Sequence, residues 1–390
     1  MTGKARTNSE STPFRGRSLT TGAPGTVRDQ KGGFTLRVLV TGASGLAGQS
    51  ILSALEAEPD WRTWALSRRS PPPAAAAKAT WLSGDLLGPE LPGLVAGVRP
   101  DAVIHAAAWA DVDGCQRDPA LAKRINLEAT EALVGALGAI PEPPLLVYIS
   151  TDYVFSGEQG PYGEMDAPSP INVYGESKLA GERAALTYEP AQVIRTAQLY
   201  GSGDGTRDNL VTWAARELRA GRTVPAASDE YGTPTLVQDL ARYIVARIGD
   251  WAAERVGEEW SGVKFDEDRA AGRNPAGDRT RIPLWPPGRI IHCAGPDLVS
   301  RYEWALAVME AIRVLEGSVS GSVEAVAGEA LRRPAARPKQ GGLRTEYSSL
   351  DPARTPLMEG IFEVLREVHG EVPGEVPGRS SGGGEGGRKR

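Results

Sequence analysis

The chain is predicted to be an α/β protein, a doubly wound parallel sheet followed by a smaller C-terminal substrate-binding part. Three observations carry this. From Leu36 to about Thr196, short apolar runs alternate with amphipathic stretches, which implies parallel strands joined by right-handed crossovers. The runs are almost continuously apolar, as strands covered on both faces require. The first run also leads directly into a glycine-rich turn that opens a helix.

Taken in order, the predicted strands are Leu36–Thr41, Arg62–Ser67, Ala79–Ser83, Ala102–Ala107, Leu145–Ser150 and Gln192–Arg195. Predicted helices between them are Leu46–Ala57, Ala120–Leu137 and Tyr174–Leu186. After Gly201 the alternation gives way to helices at Asp208–Ala220, Leu236–Ile248 and Arg301–Glu316. This divides the chain into a dinucleotide-binding unit over 36–195 and a substrate-binding part over 196–370. The stretch 251–288, rich in Gly, Pro and charge, with Trp251, Trp260 and Trp285 dispersed in it, is read as a surface insertion too polar to bury its own core. Residues 371–390 form a low-complexity, disordered tail, and residues 1–35 a disordered extension. The extension is poor in acidic residues, so its composition also suits an organelle transit peptide.

Composition excludes several classes of function. With 41% hydrophobic and 24% charged residues, the chain has an ordinary soluble balance. A net charge of −5 with scattered basic residues gives no reason to expect nucleic acid. No apolar run reaches the roughly 18 residues of a membrane span. Cys115 and Cys293 lie far apart, and His105, His292 and His369 never fall at ligand spacing, so neither a disulfide framework nor a metal site is expected. A reducing, cytoplasmic compartment fits the cysteine usage.

The glycine turn is Thr41-Gly42-Ala43-Ser44-Gly45-Leu46-Ala47-Gly48. Gly42 makes the tight turn out of the strand, Gly45 lets a pyrophosphate approach the backbone, and Gly48 lets the new helix pack close to the sheet. The N–H groups of Ser44, Leu46 and Ala47 and the helix dipole face the phosphates. This is a Rossmann-type cofactor site. The second strand ends in Ser67-Arg68-Arg69, and an arginine there pairs with a 2′-phosphate rather than with ribose hydroxyls. NADPH is therefore the expected cofactor, with NADH as the alternative. Ala106, Ala107 and Ala108 leave room for it after the fourth strand.

Catalysis is expected downstream. Tyr174 and Lys178 stand one helical turn apart and share a face. A free phenol has a pKa of about 10, and a neighbouring ammonium lowers it, so that Tyr174 serves as acid to a carbonyl receiving hydride. Thr151, at the end of the fifth strand, would hydrogen-bond the same oxygen, and Lys178 would also hold the nicotinamide ribose. Trp109, Thr151, Tyr153 and Phe155 are the candidate substrate contacts. Asp111 and Asp113 are either further contacts or a solvated acidic loop.

These motifs resemble those of the dTDP-4-dehydrorhamnose reductase family, among the extended short-chain dehydrogenases. The resemblance rests on Thr41–Gly48, His105-Ala-Ala-Ala-Trp109, Ser150-Thr-Asp-Tyr-Val-Phe155, Pro161-Tyr162, Asn172-Val-Tyr-Gly-Glu-Ser-Lys178-Leu-Ala-Gly-Glu182, Arg195-Thr196, Leu199-Tyr200-Gly201 and Asp229-Glu-Tyr-Gly-Thr-Pro-Thr235. It implies that Thr151, Tyr174 and Lys178 are catalytic, that Asp85 and Leu86 contact adenine, and that Asn126 has a structural or proton-relay role. The implied reaction reduces the C4 ketone of a nucleotide-linked 4-keto-6-deoxysugar. Gln198, where bacterial members usually carry Trp, and Glu230, where they carry Gln, depart from the pattern. The same motifs are similar to the regulatory β subunit of methionine adenosyltransferase, which implies dinucleotide binding and a methionine adenosyltransferase catalytic subunit as partner. A homodimer is the other assembly considered, and a nucleotide-sugar epimerase or dehydratase a third reading.

Overall fold

The computed structural model describes residues 27–28, 34–68, 78–203, 208–256, 289–345 and 354–369. The centre is a seven-stranded parallel sheet. Its strands are β1 (Arg37–Thr41), β2 (Arg62–Ser67), β3 (Thr80–Ser83), β4 (Ala102–His105), β5 (Leu145–Thr151) and β6 (Ala191–Thr196). After β7 (Thr223–Ala227), which lies outside the sheet, β8 (Ile290–His292) completes it. The order across the sheet is β8-β6-β5-β4-β1-β2-β3. The chain therefore steps outward from β1 in one direction and, from β4, in the other. Between β1 and β4 the loops diverge and open a crevice at the carboxyl ends of the strands.

The period of two along β1 sends Val38 and Val40 to one face and Leu39 to the other. On the first face they meet α1 (Leu46–Leu55) and α8 (Val237–Val256) through Ile51, Leu52, Leu240, Ile244 and Ile248. On the second, Leu39 joins Val95 of α2 (Leu91–Val98), Leu133 and Leu137 of α5 (Ala129–Gly138) and Ala185 of α6 (Val173–Leu186). Each such aliphatic side chain contributes about 1.5–3 kcal/mol by leaving water. The cap is built from α7 (Leu210–Arg219), β7, α9 (Arg301–Glu316), β9 (Ser322–Val326) and α10 (Leu357–His369). Val211, Leu218, Val224, Trp304, Val308, Ile312, Ile361 and Leu365 form its core. Helix α9 starts at a reciprocal cap between Ser300 and Glu303 and stops at Gly317, whose φ is +78°.

Several sequence expectations are corrected. The sheet unit does not end at residue 195, because α8 packs on it and β8 pairs in parallel with β6. The stretch 251–288 does not begin as a surface insertion: α8 runs on to Val256 and buries Trp251 in the sheet core. Its remaining part, 257–288, lies outside the described residues, as do Arg69, Trp260, Trp285 and the 371–390 tail. Within the extension, Val27–Arg28 pairs antiparallel with Phe34–Thr35, and residues 1–26 and 29–33 lie outside the described set. The helix expected over 120–137 is present but not regular: α4 (Pro119–Lys123), a π-turn at Arg124–Glu128 and α5 follow one another without a break, and a short α3 (Val112–Arg117) precedes them. Among the described residues no helix is long and apolar enough to cross a membrane, and no group of three or more His, Cys, Asp or Glu is placed to hold a metal.

Candidate active site

The crevice at the strand ends is a cleft of about 1440 Å³, walled by the sheet unit on one side and by the cap on the other. Its floor is the glycine turn. Gly42 adopts φ +66°, and a Cβ there would lie 2.5 Å from Ala107 N. A Cβ on Gly48 would lie 2.4 Å from Gly42 O, so both glycines are dictated by the protein's own packing. Gly45 is different: a Cβ there would meet only Gly42 O, at 3.4 Å, and otherwise point into open space. No side chain caps the N-terminus of α1 at Gly45, which leaves its first N–H groups to an anion. Ser44 is tied to the end of β2 by a 3.0 Å bond from Ser67 Oγ. A dinucleotide fits this floor, with Leu46 and Ala47 beside the phosphates and Ala106, Ala107 and Ala108 along the wall. At the rim, Arg68 is largely exposed, 3.9 Å from Asp85, with Leu86 next to it. A guanidinium held that loosely is available to a ligand.

His105 pins β1 to β4: Nδ1 lies 2.7 Å from Thr41 Oγ1 and Nε2 lies 3.1 Å from Thr130 Oγ1. Burial, with the Lys178 charge, pushes its pKa down to about 3, so it stays neutral and structural. Asn126, in the π-turn, is fully engaged. Its Oδ1 accepts from Trp109 N at 2.8 Å, and Nδ2 donates to Ser177 Oγ at 2.9 Å and to Trp109 O at 3.2 Å. It fixes the Trp109 loop against Ser177 of α6 rather than standing open to a water chain.

Thr151, Tyr174 and Lys178 all face the cleft. Asn172 caps α6, its side chain accepting from Gly175 N at 2.9 Å, and so sets the first turn from which Tyr174 projects. Tyr174 stands beside Thr151 in the cleft and meets the edge of Tyr153 at 5.6 Å between centroids. Burial raises the phenol well above its ordinary value, and the neighbouring Thr151 opposes that only in part. The expected lowering by Lys178 is not seen, because its amine points elsewhere. Lys178 Nζ donates to Ile149 O at 2.7 Å and sits 4.1 Å above the Tyr148 ring. Desolvation brings its pKa down to about 7.

That depression has a measurable sign. Between pH 7 and 10 the folded chain holds Lys178 neutral while the unfolded chain still carries its proton. Stability therefore rises with pH in this window. Wild type is expected to gain thermal stability relative to Lys178→Met as pH climbs from 7 to 10. Parallel melting curves would refute the assignment.

Of the substrate candidates, Trp109, Thr151 and Tyr153 line the cleft. Phe155 does not. It is a core residue, stacked on Tyr162 at 4.3 Å with 4° between the planes and packed among Val154, Ala294 and Leu343. The short turn Asp152–Val154 swings the chain inward after Thr151 and buries it. Asp111 lines the cleft and caps α3 by accepting from Gly114 N, whereas Asp113 is not among the lining residues and pairs with Arg337. Gln198 lines the cleft with φ +46°, and Glu230 is buried against Arg333 beside it.

Sequence reasoning missed three arginines on the cap side, Arg301, Arg333 and Arg337. Arg333 and Arg337 are paired with carboxylates, whereas Arg301 makes no salt bridge among the described residues. Asp152, which the sequence suggests only for a dehydratase, is a buried carboxyl that accepts from Thr151 Oγ1 at 3.2 Å and is raised to about 6 by desolvation. Asp152 follows Thr151 directly, so the strand-end motif itself was its signal. The arginines carry none, because they come from separate segments with no shared periodicity.

Residues 36–261 match the model of the RmlD substrate binding domain. The chain belongs to that family. The expected kinship with dTDP-4-dehydrorhamnose reductases is borne out. The Streptomyces griseus protein of that name is 32% identical, over 76% of this chain and 96% of the relative. Methionine adenosyltransferase 2 subunit beta of Danio rerio is 29% identical, over 76% of this chain and 80% of the relative. A solved structure described as a hypothetical dTDP-4-dehydrorhamnose reductase from Sulfolobus tokodaii superposes with a TM-score of 0.61 at 29% identity, covering 81% of this chain and 93% of that one. The glycine turn, Thr151, Tyr174 and Lys178 converge on one cleft.

Proposed function

We propose that this chain is an NADPH-dependent reductase of a nucleotide-linked 4-keto-6-deoxysugar. One observation carries the reading: Tyr174 and Thr151 face the same cleft as an open glycine turn and an uncapped helix N-terminus. Reduced nicotinamide supplies the hydride when bound. Thr151 Oγ1 and Tyr174 Oη hold the ketone oxygen between them, and Tyr174 passes it a proton as negative charge develops. Burial keeps that phenol protonated through the neutral range, which suits reduction. Lys178 lies one turn away to hold the nicotinamide ribose, and Trp109 and Tyr153 flank the sugar. Arg301 offers its guanidinium to the diphosphate of the substrate, and Arg68 to the 2′-phosphate of the cofactor.

The test is a panel of nucleotide-4-keto-6-deoxysugars assayed with NADPH and NADH in parallel. NADPH oxidation is expected on at least one. Arg68→Ala is expected to shrink the preference for NADPH over NADH by about tenfold, the worth of one charge-assisted hydrogen bond. An absence of turnover across the panel, with stable binding to a methionine adenosyltransferase catalytic subunit, would replace this reading with the regulatory one. The intact Thr151, Tyr174 and Lys178 set favours catalysis, since a purely regulatory subunit has no chemical use for it.

A further inference from the structure

The first turn of α6 must stay in place for Tyr174 to meet Thr151, and it is held by a segment more than 160 residues away. Asn172 accepts from Gly175 N and also donates, through Nδ2, to Ala336 O at 2.9 Å. Beside Ala336, Arg337 makes a two-pronged pair with Asp113, at 3.0 Å from Nη1 to Oδ1 and 2.9 Å from Nη2 to Oδ2. Asp113 Oδ1 accepts from Ala335 N as well, at 3.1 Å. Asp113 belongs to α3, and α3 reaches back to α6. Gln116 Oε1 accepts from Val173 N at 3.3 Å, and Cys115 packs against Tyr174. The three segments close a ring around the phenol.

The same strap continues past the loop that follows Thr151. Gln340 N donates to Gly157 O at 2.7 Å, and Tyr162 N to Gly342 O at 3.0 Å. On its other side Lys339 O accepts from Tyr231 N at 2.8 Å, which ties the strap to the cap. The Asp113–Arg337 pair is mostly withdrawn from water, with side-chain exposures of 23% and 11%. A bidentate pair so placed fixes geometry far better than a surface pair does.

We propose that Asp113, Arg337 and Asn172 are positioning residues, which clamp the 335–337 strap onto α3 and α6 and thereby set Tyr174 against Thr151. The proposal rests on the reductase reading above. Arg337 lines the cleft, but Asp113 and Asn172 do not, so a positioning role can be separated from a direct substrate contact.

The experiment compares Asp113→Asn, Arg337→Ala, Arg337→Lys, Asn172→Ala and the Asp113→Asn/Arg337→Ala double variant. A misplaced acid is costly, so kcat should fall roughly tenfold to hundredfold in Asp113→Asn and Arg337→Ala. KM for NADPH and for the sugar nucleotide should stay within about twofold. The double variant should lose no more than the worse single one, and Arg337→Lys should recover part of the loss. Backbone amides of residues 173–178 should exchange faster with solvent in Asp113→Asn, Arg337→Ala and Asn172→Ala. An unchanged kcat and unchanged exchange in Asp113→Asn would overturn the clamp. So would a KM effect confined to Arg337→Ala, which would make that arginine a substrate contact. If wild type itself turns nothing over, the reductase reading fails on its own, and amide exchange still decides the clamp.

Discussion

Tyr174→Phe is expected to lower kcat by roughly 10²–10⁴-fold, the range for removal of a general acid, with NADPH binding retained. Phenylalanine keeps the ring, and with it the edge contact to Tyr153 and the packing on Cys115 and Val112. The fold should therefore survive, and only the hydroxyl with its proton is lost. Single-turnover measurement with NADPH and a 4-keto-6-deoxysugar nucleotide separates the chemical step from binding. A variant that keeps more than about a tenth of wild-type turnover would move the acid to another group. The buried Asp152 carboxyl beside Thr151 would be first in line.

The second large effect concerns stability. Glu182 on α6 and Arg195 on β6 form a two-pronged pair at 2.8 and 2.9 Å, with side chains only 2% exposed. The same helix carries Tyr174 and Lys178, so this pair bolts α6 to the sheet. Glu182→Ala is expected to cost about 3–5 kcal/mol in denaturant unfolding, because it strands the arginine charge in a dry core. Replacing both partners by leucine should recover most of that loss, since two apolar side chains leave no charge uncompensated. A Glu182→Ala chain that unfolds at the wild-type denaturant midpoint would show that water reaches the guanidinium.

Much of the sheet unit was legible before any coordinates, and the reason is local. Strands buried on both faces write continuous apolar runs, so the strand expected over Leu145–Ser150 appears in the structure with only Thr151 added. The three glycines announced a cofactor turn because of their spacing after a strand: Gly48 is demanded by backbone six residues before it, and Gly42 by its own positive φ and by the more distant backbone of Ala106 and Ala107. Tyr174 and Lys178 share a helix face by spacing alone. What escaped was non-local or atypical. A π-turn has no sequence period of its own, so Arg124–Glu128 vanished into an apparently continuous helix. Helix α10 was passed over although Leu357, Ile361, Val364 and Leu365 recur at helical spacing. Phe155 was misplaced because a one-residue change of direction after a strand decides between cleft and core. The Asp113–Arg337 pair spans 224 positions, and no window along a chain can show it.

The seventh strand has a further consequence. Because Ile290–His292 arises after the cap has already begun, the two parts of the molecule are interleaved rather than strung one after the other. A nascent polypeptide leaving the ribosome carries β6 with an unpaired edge until His292 has emerged, a state in which strand edges invite association. Recombination meets the same obstacle. A single crossover cannot exchange this cap for a relative's; the chain has to be rejoined on both sides of β8, so new specificity is reached more readily by changing cleft side chains than by trading whole modules.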